Sequence, residues 1–294
     1  MPAPRIIPES SPKVKRKCLG KILNLQLNFA IFRIEPGTPP KIRFGLRNRL
    51  TLPGAWAKRN AVKNLLAAFK YLTIWRHLGS AEVTPATIGA AMIYFPAIGL
   101  LLGLILALTN FLLAPYVAPE ILSMIVISGL ALMTGANHLA ELKNIFSSNY
   151  ALAEKSDRAA TLGLIAIVLV LLFKDTAIDS IDEKLPFTLL LAPALARWAI
   201  LIFVYGYQNR CDEPLGRAAD RVKFWQLIVA TVGTLSVLAY GFGRRGLWAA
   251  LVLSLFVLSA RTLLYRWRGR LALYDLGAMI EVGETLSLIL LASL

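Results

Sequence analysis

Residues 84–119 read TPATIGAAMIYFPAIGLLLGLILALTNFLLAPYVAP, and no Lys, Arg, Asp or Glu interrupts them. A helix needs about 20 apolar residues to cross the hydrocarbon core of a bilayer, so this stretch is more than long enough. Similar uncharged runs cover 121–140 and 224–242. Shorter ones cover 159–173, 186–208 with Arg197 inside, 246–265 with Arg261 near its end, and 276–294 with Glu281 and Glu284 in its first turns. Hydrophobic residues make up 57% of the chain and charged residues 17%, far from the balance of a soluble domain. These runs define an all-α polytopic membrane protein with seven expected transmembrane helices.

Charge sets the expected orientation. Residues 1–76 hold 16 Lys and Arg against two acids, Glu9 and Glu35. Such a basic segment can bind nucleic acid, but in a polytopic chain the membrane explains it more simply. Basic residues near spans stay in the cytoplasm, where anionic lipid headgroups attract them. An N-terminus inside puts Lys143, Lys155 and Arg158 in one cytoplasmic loop. Arg210, Arg217, Arg221 and Lys223 then fall in the next, and Arg266, Arg268 and Arg270 in the last. Lys174, Lys184, Arg244 and Arg245 fall outside, as does the C-terminus after seven spans. The expected location is the cytoplasmic (inner) membrane, with no nucleic-acid partner.

Residues 1–56 contain eight of the fifteen prolines and no apolar run of signal-peptide type. They read as a mostly disordered basic tail lying against anionic lipid. Residues 57–76 turn helical, with Leu65, Leu66, Phe69 and Leu72 set apart from Lys63 and Lys70, which suits an interfacial amphipathic helix. Residues 77–294 form the expected transmembrane domain. Cys18 and Cys211 have no partner at metal-ligand spacing, and a disulfide is not expected on the cytoplasmic side. The chain has no phosphate-binding glycine loop, zinc-protease helix or nucleophile elbow.

Chemistry is concentrated at a few polar positions. The stretch 131–144, ALMTGANHLAELKN, ends an apolar run and carries His138, Glu141, Lys143 and Asn144 to a membrane boundary. Polar clusters at such places mark catalysis or transport, although every span must also stop somewhere. His77 lies beside Arg76 and reads as a solvated residue. Arg197 lies mid-span, where a lone charge is expensive. It reads either as a structural partner of a glutamate or as a phosphate clamp, since a guanidinium forks onto phosphate oxygens. Glu281 and Glu284, three apart, share a helix face. An acidic start favoured by the helix dipole is the plainer account of Glu281, and less so of the deeper Glu284.

Several strings in this chain resemble the cobalamin synthase family. Phe95-Pro96-Ala97-Ile98-Gly99-Leu100-Leu101-Leu102-Gly103 and then 131–139 look like its opening spans, with Phe69-Lys70-Tyr71-Leu72-Thr73 upstream. Arg197, Glu213-Pro214-Leu215-Gly216 and Gly277-Ala278-Met279-Ile280-Glu281-Val282-Gly283-Glu284 follow in the family's order. The resemblance covers about residue 63 to the end. It implies a membrane enzyme that joins α-ribazole, or its 5′-phosphate, to adenosylcobinamide-GDP. It further implies Mg²⁺ on the diphosphate, catalysis by His138, Asp157 and Arg158, and phosphate binding by Arg197. Metal ligands would come from Glu141, Asp275, Glu281 and Glu284.

The departures from the family fall on its acidic positions. After its His-Leu, the family reads D-G-L-A-D-T-x-D-G, and here the three aspartate positions are Ala140, Asn144 and Ser147. The following loop is shorter, its D-S-R reads Ser156-Asp157-Arg158, and the family's T-G-D reads Ala272-Leu273-Tyr274, with Asp275 one place on. Mg²⁺ requires hard oxygen ligands, and alanine supplies none. Two readings follow. One is an active ribazoletransferase using substitute carboxylates from Glu141, Asp157, Asp275, Glu281 and Glu284. The other is an inert relative serving as a structural or assembly subunit among membrane-protein partners. A transporter is disfavoured, because no repeat relates the two halves of the chain.

Overall fold

The computed structural model describes residues 55–75, 83–147, 153–181, 184–207 and 213–293. Residues 1–54 of the expected disordered tail, His77 and both cysteines lie outside them, and the last two residues of that tail belong to the first helix. The described chain is all-helical: α1 (Ala55–Leu72), α2 (Pro85–Ala91), α3 (Phe95–Leu113), α4 (Pro119–Met133), α5 (Asn137–Ser147), α6 (Ala153–Asp179), α7 (Leu185–Val204), α8 (Pro214–Ala219), α9 (Phe224–Arg268) and α10 (Tyr274–Ala292).

Local chemistry explains most of the boundaries. Thr84 opens α2 with a reciprocal capping box to Thr87, and Pro85 occupies the first turn, where its missing N–H costs nothing. Pro96 cannot donate back to the Met92 carbonyl. The Phe95 N–H takes that carbonyl instead, giving a 3-10 turn at Met92–Tyr94 that joins α2 to α3. The uncharged run 121–140, expected as one span, breaks after Met133. Gly135 and Ala136 adopt left-handed conformations (φ 62° and 52°), and α4 and α5 meet at 83°. The Ile74 N–H donates to the Met133 carbonyl at 2.8 Å and so closes the end of α4.

Helix α9 has 45 residues, about 68 Å at 1.5 Å each, and it is broken at Gly243 (φ 57°, ψ −143°). Those dihedrals are open only to glycine, and they divide the element into limbs 224–242 and 244–268, matching the two apolar runs of the sequence.

The centre of the bundle is α7 with α10. Most of α7 is buried, and so is most of α10, as expected of helices apolar on nearly every face. Helix α3 seats closely on α7: a Cβ at Gly99 would overlap the Ala194 backbone, and one at Gly103 the Leu189 and Leu190 carbonyls. This is the physical content of the F-P-x-I-G-L-L-L-G string, since small residues let helix backbones approach in a membrane. The C-terminal half of α1 is also packed in, with Ala67, Ala68 and Leu72 buried.

The periphery is apolar and exposed: Leu164, Val168 and Leu172 on α6, and Val229, Val232, Trp248 and Leu255 on α9. Contiguous apolar surface on this scale belongs in lipid. By length and composition, Pro85–Leu113, Asp157–Asp179, Leu185–Val204 and Phe224–Arg268 can each cross a membrane, and α4 with α5 makes a fifth candidate. The protein is a multi-pass membrane protein.

Candidate functional site

Four charged side chains meet inside the bundle. Helix α10 presents Glu281 and Glu284 on one face, both buried. Helix α6 brings Lys174, whose Nζ lies 2.6 Å from Glu281 Oε2 and 2.8 Å from Glu284 Oε2. Helix α7 brings Arg197, fully buried, whose Nη1 donates to Glu284 Oε1 at 2.5 Å and to the Pro193 carbonyl at 2.9 Å. Glu284 therefore bridges two cations from two helices. The formal charges cancel, which is what a low-dielectric interior demands. Arg197 Nε and Nη2 are buried and make no hydrogen bond to the described residues.

Lys174 is a correction to the sequence reading, which placed it in an outside loop after the run 159–173. Helix α6 continues to Asp179, and Lys174 is only 2% exposed. A lysine inside a span is tolerated here because two carboxylates await it. The sequence held a signal for this: two glutamates on one inward face outnumber Arg197, so a second cation was owed.

The other polar helix, α5, packs against α10. His138, Leu142 and Ile145 are buried, and Glu141 is half-buried. A Cβ at Gly277 would overlap the Glu141 carboxylate and the His138 ring, so the glycine makes the space in which both side chains lie. Ala140 and Asn144, one turn apart, are exposed on the remaining face of α5. Two of the three positions at which the family resemblance implies aspartate, Ala140 and Asn144, therefore lie on a different face from His138.

Asp275 is buried at the start of α10, and both its oxygens are engaged. Oδ1 accepts from Arg268 Nη2 at 2.6 Å, and Oδ2 accepts from the Ala272 N–H at 2.7 Å. Nearby, the Tyr207 hydroxyl donates to Glu213 Oε2 at 2.7 Å and accepts from the Leu271 N–H at 3.3 Å. Burial, and then the Glu213 carboxylate, push the Tyr207 phenol above its ordinary pKa. The E-P-L-G string thus ties the connection after α7 to the turn before α10. Arg261 of α9, a contact the sequence reading missed, donates to the Phe203 and Tyr205 carbonyls and closes the C-terminal end of α7.

Asp157 and Arg158 are exposed near the start of α6. Seventeen residues of continuous helix separate Asp157 from Lys174, about 25 Å along the axis. The structure thus brings Arg197, Glu281 and Glu284 together with Lys174, and sets His138 and Glu141 against Gly277 of the same helix. It does not bring Asp157 and Arg158 to that cluster, and Asp275 lies nine residues, about 14 Å, from Glu284 along α10.

A divalent cation does not suit this donor set. Glu281 and Glu284 are already neutralised by Lys174 and Arg197, and Asp275 by Arg268. Among the described residues, no three His, Cys, Asp or Glu side chains converge at metal-binding distance. An octahedral oxygen shell around Mg²⁺ would require those ion pairs to open.

An all-helical multi-pass scaffold with a neutral four-charge network between its central helices defines a class of membrane protein. The comparisons make it specific. Residues 64–143 and 154–292 match the cobalamin-5-phosphate synthase family, and the chain belongs to it. The adenosylcobinamide-GDP ribazoletransferase of Geotalea daltonii is 27% identical over 225 residues, covering 70% of this chain and 87% of that protein. The Pseudomonas paraeruginosa protein of the same name is 30% identical over 247 residues, covering 80% and 99%. The Pseudomonas entomophila protein is 31% identical over 225 residues, covering 71% and 90%. No solved structure matches the chain.

Proposed function

We propose that this chain keeps the membrane scaffold of the cobalamin-5-phosphate synthase family and has lost its metal-assisted transfer, serving as a structural or assembly subunit of a complex in the inner membrane. One observation carries the reading: the three carboxylates of α10 are committed to cations of the protein itself, and Asp157 lies on α6, far from Glu281 and Glu284. Glu284 holds Arg197 and Lys174, Glu281 holds Lys174, and Asp275 holds Arg268. The exposed face of α5 offers Ala140 and Asn144, neither of which carries a charge. Transfer onto a nucleoside diphosphate needs charge stabilisation on the leaving group, and this site has spent its charges internally.

In this proposal α9 contributes two spans and α10 one, completing seven with the N-terminus in the cytoplasm and the C-terminus outside. Residues 1–56 lie against anionic headgroups, and 57–76 lie in the interface. A second reading is favoured by the two unused donors of Arg197 and by the names of the relatives. It keeps transfer of α-ribazole or its 5′-phosphate onto adenosylcobinamide-GDP. His138, Asp157 and Arg158 would be catalytic and Arg197 would hold phosphate.

Membranes containing the chain, incubated with adenosylcobinamide-GDP, α-ribazole and Mg²⁺, discriminate between the two. The first reading expects no cobalamin product above membranes lacking the chain. Product formation that Arg197→Lys abolishes establishes the second.

A further inference from the structure

We propose that the groove between the second limb of α9 and α10 is a binding site for one anionic phospholipid, with its phosphate on Arg266 and an acyl chain along the helices. The groove has a volume of about 800 Å³ and is walled by Leu255, Phe256 and Leu263 of α9 and by Met279 and Val282 of α10, with Arg266 at its end. Such a volume lies within the roughly 300–1,000 Å³ typical of ligand sites.

Its length identifies the occupant. From Leu255 to Arg266 the wall runs eleven helical steps, about 17 Å. One leaflet of a ~30 Å hydrocarbon core is about 15 Å deep, so the apolar wall matches one acyl chain and Arg266 falls at headgroup level. Charge identifies the headgroup. Arg266, Arg268 and Arg270 close this end of α9; Arg268 is held by Asp275, while Arg266 and Arg270 are exposed. Basic rims between membrane helices at the end of a span are where anionic headgroups settle. A protein helix would continue across the membrane, whereas the groove ends near Leu255, one acyl-chain length from Arg266.

Native mass spectrometry of the full chain in mild detergent tests the site, titrating phosphatidylglycerol against phosphatidylcholine of the same chains. The wild type should retain phosphatidylglycerol about fivefold better, the worth of one arginine at an anionic headgroup. Arg266→Gln should erase that preference while keeping an unselective lipid. Ala260→Trp should lose both, and Ser259→Trp, at an exposed position, serves if Ala260→Trp misfolds. Glycerol 3-phosphate should not compete; if it does, the site takes a phosphate and not a lipid. Equal retention of both lipids by the wild type overturns the proposal. So does a dimer that the tryptophan variants dissociate, because a second copy would then be the occupant.

Discussion

Arg197 of α7 and Glu284 of α10 meet at 2.5 Å, both almost completely buried, and the other oxygen of Glu284 lies 2.8 Å from Lys174 of α6. One carboxylate therefore joins three helices. Each carries a charge that lipid rejects until the others arrive, so the network favours the assembled bundle over its separated spans.

Arg197→Leu leaves Glu284 with Lys174 alone, which it must share with Glu281. Removing one partner of a buried pair costs about 3–5 kcal/mol in soluble proteins, and the lower end is expected here because Lys174 remains. Thermal unfolding in detergent should show the loss, and Glu284→Gln on the same background should return part of it. Wild-type stability in Arg197→Leu would mean that the pair contributes nothing.

Lys174→Met should be the more damaging change. Glu281 pairs with Lys174 and not with Arg197, so losing Lys174 strands Glu281, whereas Arg197→Leu leaves each glutamate in contact with Lys174. The expected order of stability is wild type, then Arg197→Leu, then Lys174→Met. Adding Glu281→Gln should bring Lys174→Met back above Arg197→Leu. The reverse order in a melting series would place the main tie at Arg197.

Gly103→Ile should separate α3 from α7. A side chain there meets the Leu189 and Leu190 carbonyls, which cannot yield without moving a buried helix. Overpacking of this kind costs about 1–3 kcal/mol or more, so reduced accumulation in membranes is expected. Gly129→Ala, where the nearest neighbour is a side-chain carbon 4.0 Å away, is the matched control and should behave as wild type.

Much of this was legible in the sequence. The apolar runs marked the membrane class, and the gap between 242 and 246 foretold the break at Gly243. Arg197 and the two glutamates stood out because charge inside an apolar run is rare. Lys174 did not, because a lysine ending a run looks like a stop signal, and only the tertiary partner distinguishes the two. The bend at Gly135 was hidden for the opposite reason: no charge marks it, and the break comes from backbone conformation within an apolar string. The separation of Asp157 from Lys174 needed the length of α6, which periodicity alone did not extend past residue 173.

The proposed orientation has its own test. A reporter at residue 183 should be outside, whereas reporters before residue 55 and at residue 211 should be in the cytoplasm. A cytoplasmic signal at 183 inverts the scheme and moves the basic rim of α9 to the other leaflet.

The most direct test of the central claim is growth. A strain lacking its own adenosylcobinamide-GDP ribazoletransferase is supplied with this full chain, its presence in the membrane is verified, and it is fed cobinamide with α-ribazole. The account predicts no cobalamin-dependent growth, because Ala140 and Asn144 supply no charge and Glu281, Glu284 and Asp275 are bound to Lys174, Arg197 and Arg268. Robust growth from the unmodified chain would contradict it.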